Sequence, residues 1–369
     1  MTGTWWVSAS DLDADQATAV QDISQDASLL IQGPAGSGKT NILLLRAKWL
    51  RLKGISNYKV VVFTKTLRDF IRSGCEAYSI PPLSVVTCIQ LFRELLDEYG
   101  VQFESTGHFE NDRALLAGKA KSLVEQREIR DVYDCLLVDE CQDYLDTELI
   151  VLRQLASRLF LAADSRQSIY KATHTPDLLA QLVQNSIVTL KYHYRSGLKL
   201  CKVADGVLRD SASFAPVYAC SKYDEDSRPS SVKLQSFPDI HSQISAIMSH
   251  LPMQLDAYPG ELVGVLFPKK EQVALFREAF LVSGIEPDRV RIDTMHGAKG
   301  LEFRAVHLAG CETLYRMGAT QKRLIYTAIL RGKTAVAIYY SGAVPGYLES
   351  AIAQLAPPKP APQLTDLFD

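Results

Sequence analysis

The sequence lacks long apolar runs, paired cysteines and a strong charge of either sign. No apolar run reaches the roughly 20 residues that cross a membrane, and the first residues lack the charged-then-apolar order of a signal peptide, so we expect no membrane partner. The seven cysteines form no Cys-x-x-Cys pair, which argues against a zinc site or a disulfide framework and indicates reduced thiols in a cytoplasmic protein. The net charge of −2 excludes a generally basic nucleic-acid coat but permits a local basic groove.

The strongest local signal is a glycine-rich loop between an apolar segment and a helical pattern. Residues 28–32 predict a buried strand, and residues 41–53 carry apolar side chains at helical spacing. Between them the pattern Gly-x4-Gly-Lys-Thr is complete, formed by Gly33, Pro34, Ala35, Gly36, Ser37, Gly38, Lys39 and Thr40. The backbone N–H groups of such a loop and the positive end of the following helix bind polyphosphates. Lys39 is expected to reach the β- and γ-phosphates and Thr40 to hold Mg²⁺, which predicts a nucleotide site.

Apolar strand patterns alternate with helical patterns in two successive series, the second starting near Ile187. This alternation is typical of parallel, doubly wound α/β sheets, whose ligand groups lie at the carboxyl ends of the strands. We expect two domains, residues 1–183 and 184–352, followed by a stiff proline-rich tail, residues 353–369. Residues 101–130 are polar and predict a small insertion or a loop–helix segment.

A second candidate feature of the nucleotide site is the acidic pair Asp139-Glu140, which directly follows the apolar strand pattern of residues 135–138. A carboxylate at a strand end beside a phosphate-binding loop can hold Mg²⁺, directly or through water, and a second one can polarise the attacking water. A surface acidic pair is the alternative. The apolar run before the pair and Gln142-Asp143 after it argue against that alternative.

The order of these motifs resembles that of superfamily 1 DNA helicases of the UvrD/Rep/PcrA type. The matched segments cover almost the whole chain: Gln16, 33–40, 62–64, 138–143, 164–170, 192–196, 263–285, 294–303 and 323–331. The resemblance implies two RecA-like P-loop NTPase domains with ATP and Mg²⁺ bound in the cleft between them. The spacings from Phe92 to Leu136 and from Arg195 to Thr294 are too short for the full-size accessory subdomains of large family members, so a compact two-lobed form is expected.

The resemblance also assigns roles at the nucleotide site. The catalytic residues are Glu140, Gln167, which senses the γ-phosphate, and two arginines that close on that phosphate from the second domain, Arg195 and Arg331. The remaining ATP contacts beyond the loop 33–40 are Gln16, Tyr194, which stacks on adenine, and Glu302, and the metal ligands are Thr40 and Asp139.

For single-stranded DNA the resemblance implies contacts from Phe63, Thr64, Thr87, Tyr170, Thr294 and His296. Bases stack on the two aromatic side chains, although a strand-end phenylalanine such as Phe63 is also a common core residue. The tryptophan expected shortly after Tyr170 is missing, and isoleucine stands at residue 89, where the family usually has histidine. ATP chemistry is therefore expected to be intact and base stacking thinner, and the residues do not distinguish DNA from RNA.

The last seven residues resemble peptides that dock on DNA sliding clamps. Gln363 and Leu364 are followed by the apolar pair Leu367 and Phe368, behind a proline-rich spacer. An apolar anchor pair on a free tail suits binding in a pocket, and a merely disordered terminus is the alternative.

Three functions compete at this point. The first is an ATP-driven single-stranded DNA translocase or helicase in repair or replication, with 3′-to-5′ polarity by resemblance. The second is a nucleic-acid-stimulated ATPase switch, for example a sensor in a phage-defence system that does not unwind. The third, a non-enzymatic scaffold with a vestigial site, ranks last because Lys39, Glu140 and both arginines are present.

Overall fold

Two parallel β-sheets organise the chain, in agreement with the predicted α/β class. The computed structural model describes residues 11–24, 26–168, 177–209, 215–316 and 320–356. The first sheet has the order β3-β2-β4-β5-β1-β6 and consists of β1 (Leu29–Gln32), β2 (Tyr58–Val62), β3 (Val85–Thr87), β4 (Cys135–Val138), β5 (Leu159–Ala163) and β6 (Ile187–Thr189). The second has the order β7-β11-β10-β8-β9 and consists of β7 (Ser231–Phe237), β8 (Val263–Phe267), β9 (Val290–Thr294), β10 (Phe303–Leu308) and β11 (Gly332–Ser341).

Helices cover both faces of each sheet. The first sheet carries α1 (Ala14–Ala17), α2 (Lys39–Leu52), α3 (Lys65–Gly74), α4 (Cys88–Glu98), α5 (Phe109–Gln126), α6 (Asp146–Leu155) and α7 (Leu178–Leu182). The second carries α8 (Leu198–Leu208), α9 (Ile240–Ala257), α10 (Lys270–Leu281), α11 (Gln321–Ile329) and α12 (Gly346–Ala353). We call each sheet with its helices a lobe.

The central strands are buried because helices pack on each side of them. All residues of β4, β5 and β8 are buried, as expected for parallel strands with two covered faces. In the first lobe α2 and α3 form one apolar layer with the sheet, and α4, α5 and α6 form the other. In the second lobe α8, α11 and α12 lie on one face, and α9 and α10 on the other. Each lobe is therefore doubly wound.

Two predicted segments have a definite place in this fold. Residues 101–130 contain the 18-residue helix α5, whose buried side chains include Leu116 and Leu123, so this segment belongs to the core of the first lobe. Strand β6 pairs with β1, which places Ile187–Thr189 in the first sheet although the predicted domain boundary lies at residue 183. The exact domain limits stay a prediction.

The architecture brings the carboxyl ends of β1, β2, β4 and β5 to one edge, and the loop 295–302 of the second lobe packs there. At Gly300, which has φ +90°, an added Cβ would lie 2.6 Å from Cδ2 of Leu67 in α3. A glycine at this position therefore permits the close approach of the two lobes. Within the described ranges no helix combines the length and hydropathy that a membrane crossing requires, and all seven cysteines are free thiols.

Candidate nucleotide site between the lobes

The glycine-rich loop joins β1 to α2 and has the backbone conformation that a phosphate cradle needs. Gly36 and Gly38 have φ of +67° and +84°, values that residues with a Cβ rarely adopt. Lys39 is buried at the start of α2, and its ammonium donates hydrogen bonds to the carbonyls of Gly33 (2.9 Å) and Pro34 (2.8 Å). Burial lowers the pKa of Lys39, and the nearby Asp164 and Glu140 carboxylates oppose that shift.

The acidic pair follows β4 directly, as the sequence predicts. The Thr40 hydroxyl donates a 2.6 Å hydrogen bond to Oδ2 of Asp139, so the loop and the carboxylate already meet. Burial, reinforced by the charge of Glu140, raises the pKa of Asp139 to about 6. Burial alone would also raise the pKa of Glu140, but Lys299 and Arg331 outweigh it and lower that pKa to about 2. Glu140 is therefore ionised at neutral pH.

These oxygen donors fit Mg²⁺. A hydroxyl and one or two carboxylates are the usual protein share of a Mg²⁺ site whose other ligands are water and substrate phosphates. The described residues contain no group of three His, Cys, Asp or Glu that could hold a metal on their own. Thr40 and Asp139 would hold the ion, as the sequence predicts.

Two arginines from outside the first lobe lie beside the phosphate loop and the acidic pair. Arg331 precedes β11 and donates to the Gln167 side chain and to the Leu301 carbonyl (3.3 Å). Arg195 pairs with Glu302 at 2.5 Å and donates to the Leu330 carbonyl (3.2 Å). The predicted catalytic residues are therefore neighbours in space, and burial lowers the pKa of Arg331 only to about 10, so its guanidinium stays charged.

Buried donors at this point lack partners within the described part of the chain. They are the Nε atoms of Arg195 and Arg331 and the hydroxyl of Ser37. A buried donor without a partner costs about 1–3 kcal/mol, so its retention calls for an acceptor. A phosphate group bound at the loop would offer oxygen acceptors to these donors.

The sequence-based prediction did not include Lys299, a further side chain of the candidate site. This lysine of the second lobe is 1% exposed and lies against the first lobe. Its ammonium donates to the Asp143 carboxylate and to the Gln167 carbonyl (2.7 Å), and lies 3.5 Å from a carboxylate oxygen of Glu140. Its position inside the matched segment 294–303 could have drawn attention to Lys299. Nothing in the neighbouring sequence indicates that its side chain crosses the cleft between the lobes.

The base end of the site is an open cavity of about 600 Å³, large enough for a nucleoside. The three residues predicted to contact ATP outside the loop, Gln16, Tyr194 and Glu302, line this cavity, and their contact with ATP stays a prediction. The Gln16 amide donates to the Ser37 carbonyl (2.9 Å) and accepts from the Asp13 N–H (3.0 Å). The Tyr194 ring is 39% exposed, with its hydroxyl bonded to Asp13 at 2.5 Å. Gln16 therefore braces the phosphate loop as well as facing the cavity.

Comparison with known proteins agrees with this geometry. The family model described as "AAA domain" matches residues 16–173, and the one described as "UvrD-like helicase C-terminal domain" matches residues 289–339. A protein described as a "Probable DNA helicase" from Mycoplasma pneumoniae is 29% identical over 54% of this chain and 42% of its own length. Both family models and this relative support the resemblance to UvrD-type superfamily 1 helicases. The chain spans less than half of the length of that relative.

The residues predicted to contact nucleic acid differ in detail from the expectation. Phe63 is only partly buried, but its ring is already packed: the Arg113 guanidinium lies 4.9 Å from the ring centroid, and Tyr144 meets it edge-on at 5.4 Å. Its role as a stacking platform stays a prediction. Tyr170 and the candidate clamp peptide lie outside the described residues.

The three predicted threonines lie at element ends, where their hydroxyls accept backbone hydrogen bonds. Thr64 and Thr87 are the N-caps of α3 and α4 and accept from Leu67 and Gln90. Thr294 accepts from the Gly297 N–H at 2.9 Å, and His296 is half-buried two residues further on. Two capped helix N-termini at one sheet edge suit phosphate groups of a strand. Direct contacts with nucleic acid stay a prediction.

Proposed function

We propose that this protein is an ATP-dependent motor that moves along single-stranded DNA. It binds ATP·Mg²⁺ in the cleft between the lobes and the strand across their upper edge. The polarity is 3′ to 5′, the process is DNA repair or replication, and the location is the cytoplasm. The observation that carries the proposal is the convergence of Arg195, Lys299 and Arg331 on the glycine-rich loop and Glu140.

The side chains divide the work of hydrolysis between them. Glu140 is held ionised and accepts a proton from the attacking water, while Lys39 and the loop amides hold the β- and γ-phosphates. Arg195 and Arg331 neutralise the charge that develops on the γ-phosphate, a contribution worth roughly 10³–10⁵ in rate in other NTPases. Thr40 and Asp139 would hold Mg²⁺, which would supply further charge neutralisation.

Movement follows from the fact that the catalytic groups come from both lobes. Gln167 binds Arg331 through its side chain and Lys299 through its carbonyl, so the γ-phosphate region and the lobe contact share one residue. ATP binding favours the lobe contact and hydrolysis weakens it. Alternating grip on the strand by the two lobes then gives directed steps.

The test combines two assays of the purified protein. ATP hydrolysis is measured with and without single-stranded DNA, and strand displacement is measured on duplexes with a 3′ tail or a 5′ tail. Stimulated hydrolysis together with displacement from the 3′-tailed duplex is the expected result. Hydrolysis that single-stranded DNA does not stimulate would overturn the proposal, and displacement only from a 5′ tail would overturn the polarity.

A second candidate, a nucleic-acid-stimulated switch without unwinding, is favoured by the packing around Phe63. Because Arg113 and Tyr144 already occupy positions around its ring, fewer bases can stack than the family pattern implies. Stimulated hydrolysis without displacement from any duplex identifies this switch. A parallel set of RNA strands distinguishes the two nucleic acids.

The C-terminal peptide supports a separate proposal about a partner. Leu367 and Phe368, preceded by Gln363 and Leu364, form an apolar anchor for a sliding clamp. Deletion of residues 363–369 is expected to abolish co-purification with a clamp and to leave ATP hydrolysis unchanged. Equal clamp binding with and without the peptide would contradict the proposal.

A further inference from the structure

A buried histidine joins the phosphate loop to the segment that carries Arg195. His193 lies in the connector, residues 190–197, between β6 and α8, and is fully buried. Its Nδ1 contacts the carbonyl of Ala35 in the phosphate loop, and its Nε2 lies 2.7 Å from the backbone N of Ser196. One imidazole thus touches the loop on one edge and the residue after Arg195 on the other.

The partners determine the protonation of this ring. The Ser196 N–H is a donor, so Nε2 must be an unprotonated acceptor, and the single ring proton must lie on Nδ1, where it is donated to the Ala35 carbonyl. An imidazolium would place two N–H groups face to face at Ser196. Burial lowers the pKa of His193 to about 4, which agrees with a neutral ring at physiological pH.

The backbone around the ring makes the same connection. The Tyr194 N–H donates to the Gly36 carbonyl at 3.0 Å. A Cβ at Gly36 would lie 2.7 Å from both Cε1 of His193 and Cβ of Arg195. The connector and the phosphate loop are therefore in contact along their backbones, and glycine at position 36 is required by that contact as well as by its positive φ.

The connection continues to the second arginine. The Ser196 hydroxyl and the Arg195 guanidinium both donate to the Leu330 carbonyl, at 3.4 and 3.2 Å. Arg331 follows Leu330 directly and donates to Gln167. A displacement of His193 would therefore shift both arginines relative to the phosphates that the loop binds.

We infer that His193 is a positioning residue that sets the distance between the phosphate loop and the two arginines through its paired hydrogen bonds to Ala35 and Ser196. The inference rests on the proposed ATPase function and deepens it. This role differs from that of the groups expected to bind Mg²⁺, because the two hydrogen-bond partners of the ring are backbone groups of Ala35 and Ser196 and not Thr40 or Asp139.

The experiment uses substitutions that keep one hydrogen bond at a time. His193→Asn places an amide N–H near the Nδ1 position, His193→Gln places a carbonyl oxygen near the Nε2 position, and His193→Leu keeps a similar volume without either group. The matched control is His307→Leu. His307 is likewise a buried histidine with a hydrogen-bond partner on each ring nitrogen, here the side chains of Tyr339 and Gln254, but it lies within the second sheet.

Steady-state hydrolysis and affinity for a fluorescent non-hydrolysable ATP analogue are measured for each variant. We expect His193→Leu to lower kcat by about 10–100-fold, the scale of a small misplacement of catalytic groups, with analogue affinity within about threefold of the wild type. His193→Asn and His193→Gln should each restore part of the lost kcat, and His307→Leu should keep it.

Two results would overturn the inference. One is a His193→Leu variant with the kcat of the wild type. The other is an equal loss of kcat in the Leu, Asn and Gln variants, which would indicate only a packing role. If the Leu variant does not fold, the Asn and Gln variants still decide the test, because each is expected to retain part of the kcat. An inactive wild type that binds no analogue would instead contradict the proposed function itself.

Discussion

At the scale of single residues, Glu140 is a buried carboxylate whose negative charge is stabilised by Lys299, Arg331 and Lys39. It follows β4 with φ 54°, a conformation that few non-glycine residues adopt. This backbone turns the carboxylate towards Lys299, 3.5 Å away. Strain at one residue of an otherwise regular strand end is typical of functional sites.

Glu140→Gln keeps the shape of this side chain and removes its basicity. We expect kcat for ATP to fall by about 10²–10⁴-fold, the usual contribution of a general base, while binding of the fluorescent ATP analogue is retained. The exposed carboxylate of Glu98, at the end of α4, provides the control Glu98→Gln. Retention of more than a tenth of the wild-type kcat would contradict this role.

The raised pKa of Asp139 predicts that the Mg²⁺ concentration needed for hydrolysis depends on pH. This pKa of about 6 lies above the ordinary 3.8, so between these values the folded protein keeps a proton that the unfolded chain releases. Rising pH across this window therefore lowers the stability of the metal-free protein. A protonated carboxyl is also a poor Mg²⁺ ligand, so the half-saturating Mg²⁺ concentration should increase as the pH falls below about 6.

The measurement is ATP hydrolysis against Mg²⁺ concentration between pH 5 and 8. In the wild type we expect the half-saturating concentration to rise towards about tenfold per pH unit below the pKa of Asp139. Asp139→Asn should require more Mg²⁺ at every pH and lose this dependence. A flat wild-type profile would show that the carboxyl does not titrate in this range.

Local sequence patterns locate groups that lie next to one another along the chain, but they do not show contacts between distant side chains that no motif pairs. The phosphate loop and Asp139 could be found because each follows an apolar strand directly. Lys299 could not be assigned its role, because its partner Asp143 lies 156 residues away in the sequence. The same applies to Arg113, whose contact with Phe63 depends on how α5 packs.

At the scale of elements, the loop between β9 and β10 is the part of the second lobe that enters the first. Lys299 is its buried charge, and burial lowers the pKa of this ammonium while Asp143 and Glu140 outweigh burial and raise it. Removing one partner of a buried ion pair costs about 3–5 kcal/mol, because the other charge is left without compensation. The two lobes can avoid that cost only by separating.

Lys299→Met tests this contact. We expect a lower kcat, and an acid limb of the kcat profile that moves to higher pH, because Glu140 loses the cation that most lowers its pKa. Lys270→Met, at an exposed position at the start of α10, is the matched control. An unchanged kcat and an unchanged pH profile in the Lys299 variant would show that hydrolysis does not depend on the contact that this lysine makes between the lobes.

The strands themselves are the elements that sequence patterns describe best. Runs such as Cys135–Val138 are apolar throughout because both faces of a parallel strand are covered, so their bounds are visible locally. Helix α5 was harder to place, because it mixes exposed polar residues with the buried Arg113 and with buried apolar residues that pack with α4 and α6. Its place in the core is decided by packing rather than by its own composition.

At the scale of the whole molecule, the candidate site is divided between the two lobes. The phosphate loop, Asp139 and Glu140 belong to the first lobe, and Lys299 and Arg331 belong to the second. Neither lobe alone holds a complete site. A nucleotide that binds both lobes therefore stabilises the joined arrangement by its differential affinity for it.

Energy transfer between two surface dyes can follow this arrangement. Leu83 and Val282 are 77% and 87% exposed and lie in different lobes, so cysteines introduced there accept dyes. Six native cysteines are buried and Cys220 is partly so, which makes Cys220→Ser a suitable background. We expect a non-hydrolysable ATP analogue with single-stranded DNA to increase the joined population relative to protein alone, because the two arginines then gain phosphate partners.

The decisive comparison combines this reporter with Lys299→Met. If the ion contact at Asp143 holds the lobes together, the variant should need a higher analogue concentration to reach the same transfer efficiency, although the phosphate loop is intact. The Lys270→Met control should follow the wild-type curve. Identical curves for all three proteins would mean that nucleotide joins the lobes through the arginines alone, and the motor would then depend on Arg195 and Arg331 rather than on Lys299.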